Sequence, residues 1–221
     1  MLLCLKRKLK KSTSAKFKPK VNRTEAVLKK IQQVHAIRRH LKILIFGGTG
    51  VGKTRLSATS PNVLLVDCNE KGTMSIRDME GVDVYELEEF AELTNLLYFL
   101  RHGGHKYLTV AFDGFTSLAQ LALRQVMKEQ AEMDAGKDPA MPDKRDYGKS
   151  NELLRQFILS ARDLPMHVVF TALERAQTDD DTEETTVSPS MTPGVLNTAL
   201  AQVDVVGWLH VHKQAADGKK K

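Results

Sequence analysis

Cysteine is scarce. The 221 residues hold two, Cys4 and Cys68, and no Cys-x-x-Cys pair. That excludes a disulfide scaffold, a zinc ribbon and a dithiol redox motif, and it points to a reducing compartment. Long apolar runs are also missing. None approaches the ~20 residues of a bilayer-spanning helix. The apolar start MLLCL is followed by charge, the reverse of a secretory leader. A cytoplasmic protein with no membrane partner is expected. Acidic residues are nearly absent from one stretch. Residues 1–42 carry fourteen Lys/Arg and one acid, Glu25, for a net +13, whereas residues 43–221 carry 19 basic and 26 acidic residues, a net −7. The overall +6 describes neither part.

At ~100–200 residues per domain the length allows one main domain with an appendage. With 42% apolar and 27% charged residues, it reads as an ordinary globular chain. The expected organisation is a basic N-terminal arm and helix over 1–41, a core over 42–213 and a basic C-terminal tail over 214–221. Residues 1–20 read as a flexible tail: either an arm that contacts nucleic-acid phosphates, or a solvated tail without a specific role. A single aromatic residue, Phe17, lies there, too few for rings interleaved among the cations to stack on successive bases. Over 24–40, Val27, Leu28, Ile31, Val34 and Ile37 recur at helical spacing and predict one amphipathic helix.

The core alternates apolar runs with helical patterns. Strands are expected at 42–46, 63–66, 82–85, 107–112, 167–171 and 203–212. Helices are expected at 53–58, 88–101, 116–133, 149–163 and 194–201. Apolar, unalternating strands separated by helices imply an α/β fold with a mostly parallel central sheet and helices on both faces. Two segments read as loops, 134–146 with Gly136, Pro139 and Pro142, and the acidic 175–189.

After the first strand comes Gly47-Gly48-Thr49-Gly50-Val51-Gly52-Lys53-Thr54, a G-x-x-x-x-G-K-[ST] phosphate loop. Glycines let the backbone approach an anion, and successive N–H groups surround a β-phosphate. In this pattern Lys53 reaches the β/γ oxygens and the Thr54 hydroxyl ligates Mg²⁺, so ATP and Mg²⁺ are the expected ligands. The alternative is a chance glycine-rich turn. A dinucleotide fold, tempting because Asp67 lies 19 residues after Gly48, fails on its glycines: positions 48, 50 and 52 give G-x-G-x-G. About 60 residues on, the run YLTVAFD ends in Asp113 and has the form of a Walker B strand, whose Asp accepts hydrogen bonds from Mg²⁺-bound water. Hydrolysis also needs a group that activates water, usually a carboxylate.

These segments resemble the phage-encoded RecA-like ATPases of the Sak type, single-strand annealing proteins built on a RecA core. The likeness runs through KILIFGGTGVGKT (42–54), VLLVDCNEKGTMS (63–75), FDGFTS (112–117), DYG (146–148), HVVFTA (167–172) and residues 189–209. It implies a RecA-like P-loop ATPase that binds single-stranded DNA, assembles as a ring or filament and pairs strands during recombination. It places the water-activating carboxylate just beyond the second strand. Glu70 is therefore the catalytic candidate beside Lys53 and Asp113, and Asp67 the second choice. Relatives read D-T-E-G there, and Asp67-Cys68-Asn69-Glu70 carries one residue more. The polar sensor expected beyond the fifth strand falls on Leu173, between Thr171 and Glu174. DNA would meet the loops after the fourth and fifth strands. The first offers Lys137, Lys144 and Arg145, while the second is acidic. So either these residues and the arm hold DNA, or a single-strand-binding partner protein presents it.

Among lesser features, His210-Val211-His212 reads as a strand edge more readily than as a metal site. His102-Gly103-Gly104-His105 reads as a helix-ending turn, and Trp208, the only tryptophan, as a core residue. Cys68 shows no sign of an activated thiolate. Two other functions compete: a nucleotide-gated binding or assembly module with little turnover, and another P-loop enzyme such as a small-molecule kinase or packaging motor. The acidic 175–189 segment is a poor kinase lid, and a motor calls for a further domain.

Overall fold

The computed structural model describes residues 27, 28, 30, 31, 40–134, 136–138, 140–179 and 183–211. The chain divides into two compact units, Met1–Arg39 and His40–Lys221. In the first unit, Val27 and Leu28 are helical, with Lys30 N–H donating to Val27 O and Ile31 N–H to Leu28 O. The rest of the helix expected over 24–40, the tail over 1–20 and the C-terminal tail lie outside the described residues.

The second unit runs β1 (Lys42–Gly47), α1 (Lys53–Ala58), β2 (Val63–Asp67), a 3-10 turn (Gly72–Ile76), β3 (Asp83–Glu86), α2 (Glu92–His102), β4 (Thr109–Asp113), α3 (Phe115–Met133), α4 (Lys144–Arg162), β5 (His167–Thr178), β6 (Thr185–Pro189), α5 (Pro193–Gln202) and β7 (Val205–Trp208). The seven strands form one sheet of order β3-β2-β4-β5-β1-β7, with β6 antiparallel on β5 and every other pair parallel. The α/β class with a mostly parallel sheet is as the apolar strands required. β2 and β4 are buried along their whole length, because helices cover both faces of a parallel sheet.

Side chains alternate across the pleat. Leu44 and Phe46 of β1 join the large core with Leu96 of α2, Leu118 of α3, Phe157 of α4 and Val195 of α5. Ile45 faces the other way, onto a smaller core with Ala58 of α1 and Ile76 of the 3-10 turn. Strand register sets Asp67 beside Asp113 at the carboxyl ends of β2 and β4, so both acids meet the phosphate-loop end of β1 on one rim.

Four elements differ from the sequence expectation. The last strand spans Val205–Trp208 where 203–212 was expected. The acidic 175–189 segment is no loop, since β5 runs on to Thr178 and pairs with β6 from Glu174↔Pro189 to Thr178↔Thr185. Its threonines and Val187 favour a pleated surface more strongly than the acids disfavour one. α4 begins at Lys144, five residues before the expected start, because Asp143 caps it. The Asp143 carboxylate accepts Arg145 N–H (2.6 Å) and Asp146 N–H (3.0 Å), and Asp146 accepts Asp143 N–H (2.9 Å) in return. α2 begins at Glu92 instead of 88, its carboxylate taking the N–H groups of Glu88 and Glu89. Among the described residues no helix is long and apolar enough to cross a membrane.

Candidate nucleotide site

The 47–54 loop leaves β1 and re-enters as α1. Gly50 (φ +77°) and Gly52 (φ +100°) hold left-handed backbone that side chains rarely adopt. Gly47 has a different reason: a Cβ there would lie 2.1 Å from Leu209 O, where the chain following β7 crosses the end of β1. Lys53 reaches back across the loop, its Nζ donating to Gly47 O (3.0 Å) and Gly48 O (2.7 Å).

Lys53 and Thr54 line a cleft of about 430 Å³ together with Thr49, Gly50, Glu70, Asp113 and Thr171. The Thr54 hydroxyl donates to Asp113 Oδ2 at 2.6 Å, so residues 59 positions apart in the sequence touch. A hydroxyl and a carboxylate side by side are hard oxygen donors of the kind Mg²⁺ takes, with water and phosphate completing its shell. The donor set fits that ion. Gly72 closes the same corner: a Cβ there would stand 3.5 Å from Thr54 Oγ1 and 3.8 Å from Asp113 Oδ2.

The other Asp113 oxygen is held from β5, two residues before the expected sensor position. Thr171, fully buried on β5, donates to Asp113 Oδ1 at 2.5 Å and accepts Gly114 N–H at 3.0 Å. Leu173, where the sensor was expected, lines the cleft with an apolar side chain. A threonine interrupting the apolar run HVVF was the available signal. Thr171→Val keeps the shape and removes both hydrogen bonds. It should cost about 1–3 kcal/mol in denaturant unfolding, the usual effect of leaving a buried polar group unpaired. It should also raise the Mg²⁺ concentration needed for half-maximal nucleotide turnover, and Thr171→Ser should restore both.

The two carboxylates after β2 have different surroundings. Asp67 is buried, and its Oδ1 accepts Glu70 N–H (2.7 Å) and Lys71 N–H (3.1 Å), which closes the turn that carries Glu70. Left-handed Asn69 (φ +70°) and Lys71 (φ +53°) shape that turn. Glu70 projects into the cleft and accepts Ser117 O–H at 2.9 Å. Its side chain lies over Gly114 (φ +100°), where a Cβ would come within 2.1 Å of Glu70 Cγ. Cys68 is buried between these acids. Burial, then the charges of Asp113, Asp67 and Glu70, push its thiol well above the ordinary range and keep it protonated.

Lys137 is not available for phosphates. Its mostly buried amine is paired with Asp146 (2.5 and 2.6 Å) and Asp143 (3.3 Å), and the Asp146 hydrogen bond raises its pKa. Lys144 and Arg145 are exposed in the first turn of α4. Trp208 is no core residue. It is 48% exposed on the edge strand β7, stacks on His210 (4.3 Å between centroids) and donates its indole N–H to Glu174 at 2.8 Å. His212, its partner in the His-x-His reading, lies outside the described residues.

A parallel sheet with a glycine-rich loop after β1, a lysine and threonine opening α1, and an acid on β4 against that threonine define a P-loop nucleotide-binding protein of the ATPase class. Residues 39–221 match the AAA_24 family of AAA domains, and the chain belongs to that family. No curated protein matches the chain. Among solved structures it is similar to two of YqhD from E. coli. One, described as the substrate- and cofactor-free form of an aldehyde reductase, is 12% identical at a TM-score of 0.30, with 78% of this chain and 43% of that one covered. The other is 13% identical at 0.29, with 78% and 44% covered. The chain thus spans less than half the length of either, and similarity at this level carries no argument about fold or activity.

Proposed function

We propose that the chain hydrolyses ATP at the 47–54 loop and couples hydrolysis to work on single-stranded DNA. It would be a recombination and strand-annealing protein of the phage type, assembled as a ring or filament. The observation that carries the ATPase part is the 2.6 Å contact of Thr54 with Asp113 beside the Lys53 amine. Lys53 exchanges its two loop carbonyls for the β/γ oxygens of ATP. Thr54 and Asp113 would hold Mg²⁺ between them, and the Thr171 hydroxyl keeps Asp113 in place. When bound, the ion neutralises charge on the phosphates. Glu70 orients the attacking water and accepts its proton.

The DNA part is supported by the charge division, +13 over residues 1–42 against −7 for the remainder. Eight Lys/Arg lie within residues 1–20. Each phosphate neutralised on a single strand adds ~0.7 to the slope of log affinity against log salt. If half of those residues engage, deleting 1–20 flattens the slope by roughly 3. Basal ATP turnover should survive, because the loop and Asp113 belong to the other unit. Anisotropy of a labelled single strand across a salt series, for both proteins, tests this. Equal affinities and slopes would remove the arm from DNA binding and leave Lys144, Arg145 or a single-strand-binding partner protein.

A further inference from the structure

The connection from α2 to β4 reads Tyr98-Phe99-Leu100-Arg101-His102-Gly103-Gly104-His105-Lys106-Tyr107: three phenyl-type rings, two imidazoles and two cations, with no acid, in a part of the chain that is acidic overall. The helix-ending turn predicted there forms, with Gly103 N–H on Phe99 O at 2.7 Å. The turn brings the rings together, with His105 and Tyr107 half-buried and Tyr98 and Phe99 facing solvent. Tyr98 is 68% exposed and lies 4.6 Å from His102, while Phe99, 43% exposed, lies 5.4 Å from His105. His105 in turn stacks on Tyr107 at 5.6 Å and 27°. Gly103 permits this, since a Cβ there would meet the Phe99 ring at 2.7 Å.

Two cations lie among the rings in the sequence. Arg101 is exposed and donates to Ser160 O at 3.2 Å. Lys106 lies 5.8 Å from the Tyr107 ring centroid and 2.8 Å from Asp83. Beside them a groove of about 350 Å³ runs between α2 and the edge strand β3, lined by Phe99, Tyr107, Tyr85, Val84, Asn95 and the Asp83 carboxylate, which accepts the Tyr107 hydroxyl at 2.9 Å.

We infer that this surface binds single-stranded nucleic acid, the exposed rings stacking on bases while Arg101, which has no carboxylate partner among the described residues, meets phosphate. A double helix would keep its bases out of reach of such rings. The surface precedes β4, whereas the phosphate loop follows β1. In parallel strands these are opposite ends of the sheet, so strand and nucleotide do not compete for space. The inference rests on the proposal that the chain acts on single-stranded DNA, and it gives the acidic body a contact of its own, apart from the arm.

The test is anisotropy of fluorescein-labelled oligothymidylate with the full chain. Tyr98→Ala should weaken binding about 5- to 100-fold with an unchanged salt slope, as loss of a stacked base does. Tyr98→Phe should bind like the wild type. Arg101→Gln should lower the salt slope by ~0.7. ATP turnover without DNA should be unaffected in all three. Wild-type affinity and slope in both Tyr98→Ala and Arg101→Gln would overturn the inference while leaving the DNA proposal intact. So would a Tyr98→Ala protein of unchanged affinity but altered sedimentation, which would mark a protein interface. If the wild type itself ignores the oligonucleotide, the DNA proposal falls and the inference falls with it.

Discussion

Lys53→Ala should reduce ATP turnover by at least ~10²–10³-fold, the usual effect of removing one preorganised charge contact from a reacting oxygen. The amine already lies across the mouth of the loop on the Gly47 and Gly48 carbonyls. A phosphate entering there meets a donor that needs only to change acceptors. Among the described residues that line the cleft, the other cation is Arg55, whose guanidinium is paired with Asp78 at 2.6 Å. No neighbouring side chain is therefore placed to take over. Thr54→Ala and Asp113→Ala should act differently, impairing Mg²⁺-dependent turnover more than Mg²⁺-independent nucleotide binding, because they remove ion ligands and leave the loop intact. Phosphate release and calorimetric nucleotide binding for the three variants separate the two patterns.

Glu70→Gln should keep nucleotide affinity and lose about 10²–10⁴-fold in hydrolysis, the range for a general base. Asp67→Asn should be mild by comparison. Asp67 serves the fold by accepting Glu70 and Lys71 N–H groups through one oxygen, and an amide carbonyl can accept both as well. Gly114→Ala should resemble Glu70→Gln in hydrolysis, since its methyl group would displace the Glu70 side chain. Single-turnover hydrolysis and equilibrium nucleotide binding read the two effects separately. If Asp67→Asn lost hydrolysis while Glu70→Gln turned over normally, the extra residue after β2 would have exchanged their roles.

What was legible in the sequence was local. The phosphate loop spells itself in eight consecutive residues, and its glycines are required by backbone angle at Gly50 and Gly52 and by close approach at Gly47. The sheet was legible because strands buried on both faces must be apolar throughout. Contacts that cross the sheet were not. Thr171 meets Asp113 only because β5 lies beside β4; the hydroxyl in an apolar strand marks position 171 as unusual but does not name its partner. Lys137 looked free because its partners, Asp143 and Asp146, are brought back to it by the start of α4, which the sequence reading placed later. Trp208 looked like core because its neighbours are apolar, yet β7 is an edge strand and the ring remains half in solvent. The acids of 175–189 pointed to a loop, whereas the β5–β6 pairing sets Thr178 opposite Thr185 and Ala176 opposite Val187, partners that the local sequence pattern does not link.

The most direct measurement is phosphate release from ATP by the full chain, with and without Mg²⁺ and with and without single-stranded DNA. Release that requires Mg²⁺ and rises when the single strand is added is the predicted result. A rate indistinguishable from the protein-free blank under all four conditions would contradict the account.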